Sequence, residues 1–320
     1  MKKVVLLSKL YTPGRKLLEN KVTIIEHYCN NILDAEEDIQ DADCILIGNQ
    51  HFDSSSFALC KNLQVLAKQG SGTDNIDLIS ATTRKIPVVI SPGANAKSVA
   101  EHVIMLILAS CRNLIKYDRA TRNGDYEIRT NCGEYCIYGK KIGIIGYGKI
   151  GKEVCNYSRA FGMKVLIFDP FLCNVPSYET GVDFCNDISE IFKTCDIVSL
   201  HVPLTPETRG MIGSRQISMM KTGSVLINCS RGGIIDEEAL YQALYNGHLH
   251  GAGLDVFTQE PPTAANPLFS LDNVVVTPHS AALTEESAFN MSTITAKGII
   301  AVLSKQKWEH VANPKVFDMD

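Results

Sequence analysis

KIGIIGYGKIGKEVCNYSRAFGMKVLIFD, Lys141 to Asp169, is the stretch whose reading decides the fold. It reads as a strand, a glycine turn, a helix and a second strand. Gly146, Gly148 and Gly151 form G-x-G-x-x-G directly after the apolar run Ile142 to Ile145, where a tight turn and close backbone approach favour residues without a Cβ. The helix from Lys149 would point its unpaired amides and the positive end of its dipole at an anion seated on the turn, as a pyrophosphate requires. Asp169 ends the second strand, 18 residues after Gly151. A carboxylate there accepts hydrogen bonds from ribose hydroxyls and repels a 2′-phosphate, which points to NAD rather than NADP.

Outward from this unit, the composition bounds the rest. A chain of 320 residues with 45% hydrophobic content can bury sizeable cores and implies two domains. With 31 basic against 35 acidic residues, a net charge of −4 and a pI near 6.1, it offers no basic surface of the kind nucleic acid requires. The run Val4 to Ser8 is too short for a signal-peptide core, and no segment approaches the roughly 20 apolar residues that span a bilayer. Neither a nucleic-acid partner nor a membrane is expected. Eleven cysteines without C-x-x-C pairs suit reduced thiols in the cytoplasm. Cys132 and Cys136 are one close pair, too little to imply a metal, and none is expected.

Before the fingerprint, residues 2–8, 22–28, 44–49 and 63–68 are β-rich runs, with helical stretches such as Pro13 to Asn20 and Ile32 to Ala42 between them. This rhythm predicts a first α/β domain with a parallel sheet and no dinucleotide turn of its own. Its last strand runs into KQGSGTDN, Lys68 to Asn75, which is either a ligand-binding turn at a strand's carboxyl end or a simple βα turn. Asn95 to Thr121 reads as one long helix connecting the domains, and Asn123 to Tyr138 as a loop or arm. After the fingerprint, strands are expected at Asp196 to Val202, Ser224 to Cys229, Gly251 to Val256 and Val274 to Thr277, each ending in polar residues.

The ordered set GYGKIG, HVPLTPETRG, INCSRGGIIDEEAL, GAGLDVFTQEPP and VVTPHSA resembles the D-2-hydroxyacid dehydrogenase family, in particular its D-3-phosphoglycerate dehydrogenase branch, from the KQGSGTDNID stretch to Asn313-Pro314. The resemblance implies an α/β fold of two Rossmann-like domains with parallel sheets and the active cleft between them. Residues 1–94 plus 284–320 would form a flavodoxin-like substrate domain, and residues 95–283 the NAD-binding domain. The implied activity is hydride transfer between a nicotinamide and C2 of a small 2-hydroxy or 2-keto acid. The resemblance places 3-phosphoglycerate first, as in serine biosynthesis, with a glyoxylate or hydroxypyruvate reductase as the alternative. A further alternative is an NAD-sensing corepressor built on the same fold.

By the same resemblance the catalytic residues are Arg231, Glu260 and His279, and the reaction asks for those types. Removing a hydroxyl proton while C2 loses hydride needs a base that titrates near working pH, which a histidine supplies. Glu260 would hold the other ring nitrogen. The planar Arg231 guanidinium would grip the substrate carboxylate and carbonyl. Taken singly, each also suits a structural turn or solvated surface. On the cofactor side the pattern implies Gly146, Gly148, Lys149, Ile150, Gly151 and Thr208 at the pyrophosphate, although Thr208 would serve equally as a helix cap. Asp169 goes to the ribose, His201, Val202 and Pro203 to the adenine, and the Cys229 carbonyl and Asp255 to the nicotinamide carboxamide, with Ser230 also among the cofactor-binding residues. Lys68, Gly70, Ser71, Gly72 and Asn95, with Arg231, would meet the substrate. Lys68 stands where the branch commonly has an arginine, so it could bind phosphate as a point charge or merely snorkel into water.

Two departures from the pattern are visible. Ser280-Ala281-Ala282 follows the catalytic histidine where a glycine pair or Ile-Gly is common, and the sequence stops shortly after Asn313-Pro314, so no serine-binding regulatory domain is expected. Asn113 to Tyr138 matches the arm that family members exchange, and a homodimer is expected.

Overall fold

The computed structural model describes residues 1–130, 133–172 and 181–318. The chain divides into two compact units, Met1–Asn95 with Leu283–Asp320, and Ala96–Ala282. In the first unit β1 (Lys2–Leu6), α1 (Thr12–Leu18), β2 (Val22–Glu26), α2 (Glu36–Ile39), β3 (Cys44–Ile47), α3 (Ser54–Leu59), β4 (Val65–Lys68), α4 (Leu78–Thr83) and β5 (Val88–Val89) follow one another. The five strands are parallel in the order β2-β1-β3-β4-β5. Val4 to Leu6, Cys44 to Ile47 and Val65 to Ala67 are fully buried because helices cover both faces of such a sheet, which is why these strands read as continuous apolar runs. Each Val, Leu or Ile so buried contributes about 1.5–3 kcal/mol relative to exposure.

The second unit opens with α5 (Ala96–Cys111) and α6 (Leu114–Arg122). The expectation of one helix from Asn95 to Thr121 is therefore corrected. The chain breaks at Asn113, which sits in the left-handed region at φ 50° and ψ 38°, and the two helices meet at 62°. Asparagine tolerates that conformation better than most residues, so the break needs neither glycine nor proline. Ten of the sixteen α5 residues are buried, whereas α6 buries none.

From Lys141 the second unit runs β6 (Lys141–Ile145), α7 (Lys149–Ala160), β7 (Lys164–Phe168), β8 (Val182–Phe184), α8 (Ile188–Thr194), β9 (Ile197–Leu200), α9 (Ser214–Met219), β10 (Ser224–Asn228), α10 (Glu237–Tyr245), β11 (Leu249–Leu254) and β12 (Val274–Val276). Its seven parallel strands lie in the order β12-β11-β10-β9-β6-β7-β8. The order reverses direction at β6, so the crevice beside the carboxyl ends of β6 and β9 is the switch point where such sheets bind ligands. Ile145, Leu200, Leu226 and Leu254 belong to the core on one face, and Ile142, Ile144, Val154 and Leu106 to the core on the other. The chain then returns to the first unit through α11 (Glu285–Leu303), whose Ala296, Ile299 and Val302 pack with Val4, Leu6, Val65 and Val89.

Candidate active site

In the second unit the glycine turn joins β6 to α7 at the switch point. Gly146 adopts φ 95°, and a Cβ there would stand 2.7 Å from the His201 carbonyl oxygen. A Cβ on Gly151 would stand 2.2 Å from the Gly146 carbonyl oxygen, so the helix can close on the turn only if residue 151 is glycine. Gly148 is the N-cap of α7 and makes no side-chain cap bond, which leaves the first amides of a twelve-residue helix, with no acidic residue in its first turn, facing the turn. Nothing would lie within 4 Å of a Cβ on Gly148, so there is open space beside the backbone for a bound group. Lys149 is exposed and Ile150 half-buried there. The Asp169 carboxylate accepts from the backbone N–H of Tyr147 (2.8 Å) and of Phe171 (3.0 Å), one on each oxygen, so it pins the turn and retains lone pairs for a ribose diol. These residues fit a dinucleotide.

At the end of β9, burial pushes the His201 imidazole down to about 4, and its Nε2 lies 2.9 Å from Ser199 Oγ. His201 is therefore neutral at physiological pH. Val202 and Pro203 follow it, half-buried and exposed. The Thr208 hydroxyl donates to the Pro203 carbonyl (2.6 Å) and accepts from the Thr205 N–H (2.8 Å). It ties off its own loop rather than capping a regular helix.

The loop after β10 is organised by Asn228, which the sequence reading passed over. Its Oδ1 accepts from the Ser230 N–H (3.0 Å) and hydroxyl (2.7 Å), while its Nδ2 donates to the Arg231 carbonyl (2.9 Å). Arg231 Nη1 donates to the Ser230 carbonyl at 2.7 Å. Cys229 is buried, and burial pushes its thiol well up, so the side chain is an inert packing group. A Cβ on Gly232 would stand 1.7 Å from the Phe257 carbonyl oxygen. Only glycine lets this loop lie against the one that carries Glu260.

Glu260 and His279 are joined. Oε2 of Glu260 is 2.7 Å from Nδ1 of His279, and Oε1 accepts from the Phe257 N–H at 3.1 Å. Burial raises the Glu260 carboxyl. The hydrogen bond and charge of His279, the Phe257 N–H and the Arg231 guanidinium outweigh it and hold the group below its usual range. Arg231, Glu260 and His279 thus form one electrostatic cluster. The His279 and Glu260 side chains are 37% and 28% exposed, so reactants can reach them.

Asp255, expected at the nicotinamide end, is fully buried, and the bonds it makes are internal. Its carboxylate accepts from the N–H groups of Ser280 (2.8 Å) and Ala281 (2.9 Å) and from the Thr277 hydroxyl (2.6 Å), and its carbonyl accepts from the His279 N–H (2.8 Å). Its visible work is to clamp the loop that carries His279.

In the first unit Lys68 does not snorkel. It is 8% exposed at the carboxyl end of β4, and its Nζ donates to Asn75 Oδ1. Asn75 Nδ2 in turn donates to the carbonyls of Gly48 (3.1 Å) and Gln50 (2.5 Å), which fixes the amide's orientation. Gly70 sits at φ 148° and its carbonyl accepts from the Ser91 N–H at 2.8 Å; Ser71 is exposed and Gly72 half-buried beside it. Asn95 is half-buried in the turn before α5. Cys132 lies outside the described residues, and among those residues no group of three or more metal-ligating side chains occurs.

The family model described as D-isomer specific 2-hydroxyacid dehydrogenase, NAD binding domain, matches residues 104–281. The chain is 41% identical over 278 residues to D-3-phosphoglycerate dehydrogenase of Methanocaldococcus jannaschii, covering 87% of this chain and 53% of that protein. It is 44% identical over 229 residues to hydroxypyruvate reductase of Thermotoga maritima, covering 71% and 73%. Among solved structures, the TT0316 protein from Thermus thermophilus superposes with a TM-score of 0.88 at 29% identity, over 97% of this chain and 99% of that one. The chain spans about half the length of the curated phosphoglycerate dehydrogenases it matches. It belongs to the D-isomer specific 2-hydroxyacid dehydrogenase family and carries that family's NAD-binding domain.

Proposed function

We propose that this chain is an NAD-dependent oxidoreductase that interconverts a D-2-hydroxy acid and its 2-keto acid, with 3-phosphoglycerate and 3-phosphohydroxypyruvate as the favoured pair. The observation that carries the reading is the Glu260–His279 pair at 2.7 Å with Arg231 acting on the same carboxylate. Glu260 holds Nδ1 of the ring, which leaves Nε2 to take the substrate hydroxyl proton in oxidation and to return it to the carbonyl oxygen in reduction. Arg231 binds the carboxylate and carbonyl of the acid and turns C2 toward the cofactor. Bound NAD supplies the hydride acceptor. The glycine turn and α7 would hold its pyrophosphate and Asp169 its ribose.

A second substrate reading, a hydroxypyruvate or glyoxylate reductase, is favoured by Lys68. Its ammonium is buried and directed to Asn75, a setting that suits a compact carboxylate as well as a phosphate. NADH oxidation with 3-phosphohydroxypyruvate, hydroxypyruvate, glyoxylate and pyruvate decides between them by kcat/KM. Tight NADH binding without turnover of any of the four would replace the enzyme by a cofactor-sensing binding protein.

The exposed Leu114, Ile115, Tyr126 and Tyr138, all in the Asn113–Tyr138 arm, support a homodimer formed through that arm. The described cysteines are all free, which supports a reducing compartment such as the cytoplasm. No single helix among the described residues is long and apolar enough to cross a membrane.

A further inference from the structure

His102 lies on α5, 175 residues before Thr277 in sequence, and no motif marks it. Its Nε2 is 2.9 Å from Thr277 Oγ1 and 3.6 Å from Asp255 Oδ1, and Thr277 Oγ1 is 2.6 Å from the same carboxylate oxygen. A threonine hydroxyl has one proton to give. The Asp255 carboxylate gathers donors, two backbone amides and the Thr277 hydroxyl, so the hydroxyl proton points at Asp255. The hydroxyl oxygen then accepts from His102, which fixes that ring as the Nε2–H tautomer. Burial depresses the pKa of His102 against the pull of Asp255, so the ring is neutral at neutral pH and has a single N–H to donate.

The clamp that this chain of bonds supports acts on the catalytic loop. His279 adopts φ 52°, a conformation that costs about 1 kcal/mol or more for a residue with a Cβ. Residue 255 binds the backbone N–H groups of residues 279, 280 and 281, the first through its carbonyl and the others through its carboxylate. Strained backbone persists only where its surroundings over-determine it. A pure packing role at this part of α5 would be filled by an apolar side chain, as at Val99, Val103 and Leu106.

We propose that His102 is a positioning residue for the catalytic loop: by donating Nε2–H to Thr277 it completes the hydrogen-bond chain that holds Asp255 against residues 279–281, and so sets where the His279 imidazole stands. The proposal rests on the dehydrogenase reading above. Glutamine at position 102 can supply an N–H at similar reach, whereas leucine fills the space without a donor.

The test compares wild type with His102→Leu, His102→Gln and Thr277→Val, using NADH and whichever 2-keto acid the wild type turns over best. His102→Leu lowers kcat by about tenfold or more, the scale of a small misplacement of a reacting group, and changes KM far less. His102→Gln restores most of kcat. Backbone hydrogen exchange at Ser280 and Ala281 quickens by about fivefold or more in His102→Leu and Thr277→Val, as expected for a loosened hydrogen-bonded clamp, and returns toward wild type in His102→Gln. Unchanged kcat and exchange in His102→Leu would overturn the proposal. So would a His102→Gln variant as impaired as His102→Leu, since the ring would then matter by shape. If the wild type reduces no 2-keto acid, the dehydrogenase reading fails and the catalytic role with it, while the exchange comparison still judges the clamp. Should His102→Leu fail to fold, Thr277→Val against Thr277→Ser interrogates the same bond from its other end.

Discussion

Oε2 of Glu260 stands 2.7 Å from Nδ1 of His279 across 19 residues of sequence, with the buried Asp255 fixing the backbone beneath the ring. Replacing His279 by Gln removes the proposed base but keeps a side chain of similar reach. NAD affinity, measured by fluorescence titration, should stay nearly constant while kcat falls by roughly 100-fold or more. A variant with undiminished turnover would take His279 out of the reaction.

The same pair makes stability depend on acid. The folded-state pKa of Glu260 is depressed, so the stabilisation is complete above its unfolded value of about 4.3 and is lost as pH falls through the lower folded value. Glu260→Gln should therefore flatten the fall of the denaturation midpoint as pH drops below that unfolded value, relative to wild type. Parallel acid profiles for the two proteins would show that the pair contributes nothing to folding.

Asp169 has two tasks, since it pins the glycine turn through the Tyr147 N–H as well as standing at the end of β7. Asp169→Ala should weaken NAD binding by about tenfold, near 1.4 kcal/mol, and narrow the gap between NAD and NADP. Isothermal titration with both cofactors measures it. An unaltered preference would assign cofactor choice to another group.

Gly232→Ala should destabilise the protein by roughly 2–4 kcal/mol, because its Cβ would stand 1.7 Å from the Phe257 carbonyl oxygen and the backbone must move. The loops of Arg231 and Glu260 would separate, so kcat/KM should fall even below the melting transition. Thermal denaturation and steady-state kinetics on one preparation test both effects, and a variant as stable as wild type would contradict the close approach.

Lys68→Met keeps the buried stem and removes the charge. If Lys68 reads phosphate, KM for 3-phosphohydroxypyruvate should rise several-fold while kcat and the kinetics of hydroxypyruvate hardly change. Equal losses on both substrates would place the ammonium at the shared carboxylate and promote the reductase reading.

What could be read from sequence was what is local in sequence. The turn at Gly146, the helix behind it and Asp169 lie within one continuous stretch, so spacing alone exposes them. Short-range signals failed where tertiary contacts decide. The break at Asn113 carries no proline or glycine, and the three-residue β8 and two-residue β5 are too short to show a period. The same holds within the site. Asn75, Thr277 and His102 look like ordinary polar residues until the fold brings their partners from elsewhere in the chain, and Asn228 until its loop folds back on it. Asp255 was found by its motif, yet its hold on the 279–281 backbone needed the geometry.

The route of the polypeptide, out of the first unit at Asn95 and back at Leu283, sets an order on biosynthesis. A ribosome releases Ala96–Ala282 as one uninterrupted segment, able to form its sheet as it emerges. The five-stranded sheet waits longer. Its face at Val4, Leu6, Val65 and Val89, lined early by Leu10 and Leu18, is completed when Ala296, Ile299 and Val302 of α11 arrive, and the Val88 N–H and Ile86 carbonyl are met by Asn313. During translation the amino-terminal sheet therefore stays unfinished, a natural client for a chaperone, until α11 and Asn313 have emerged.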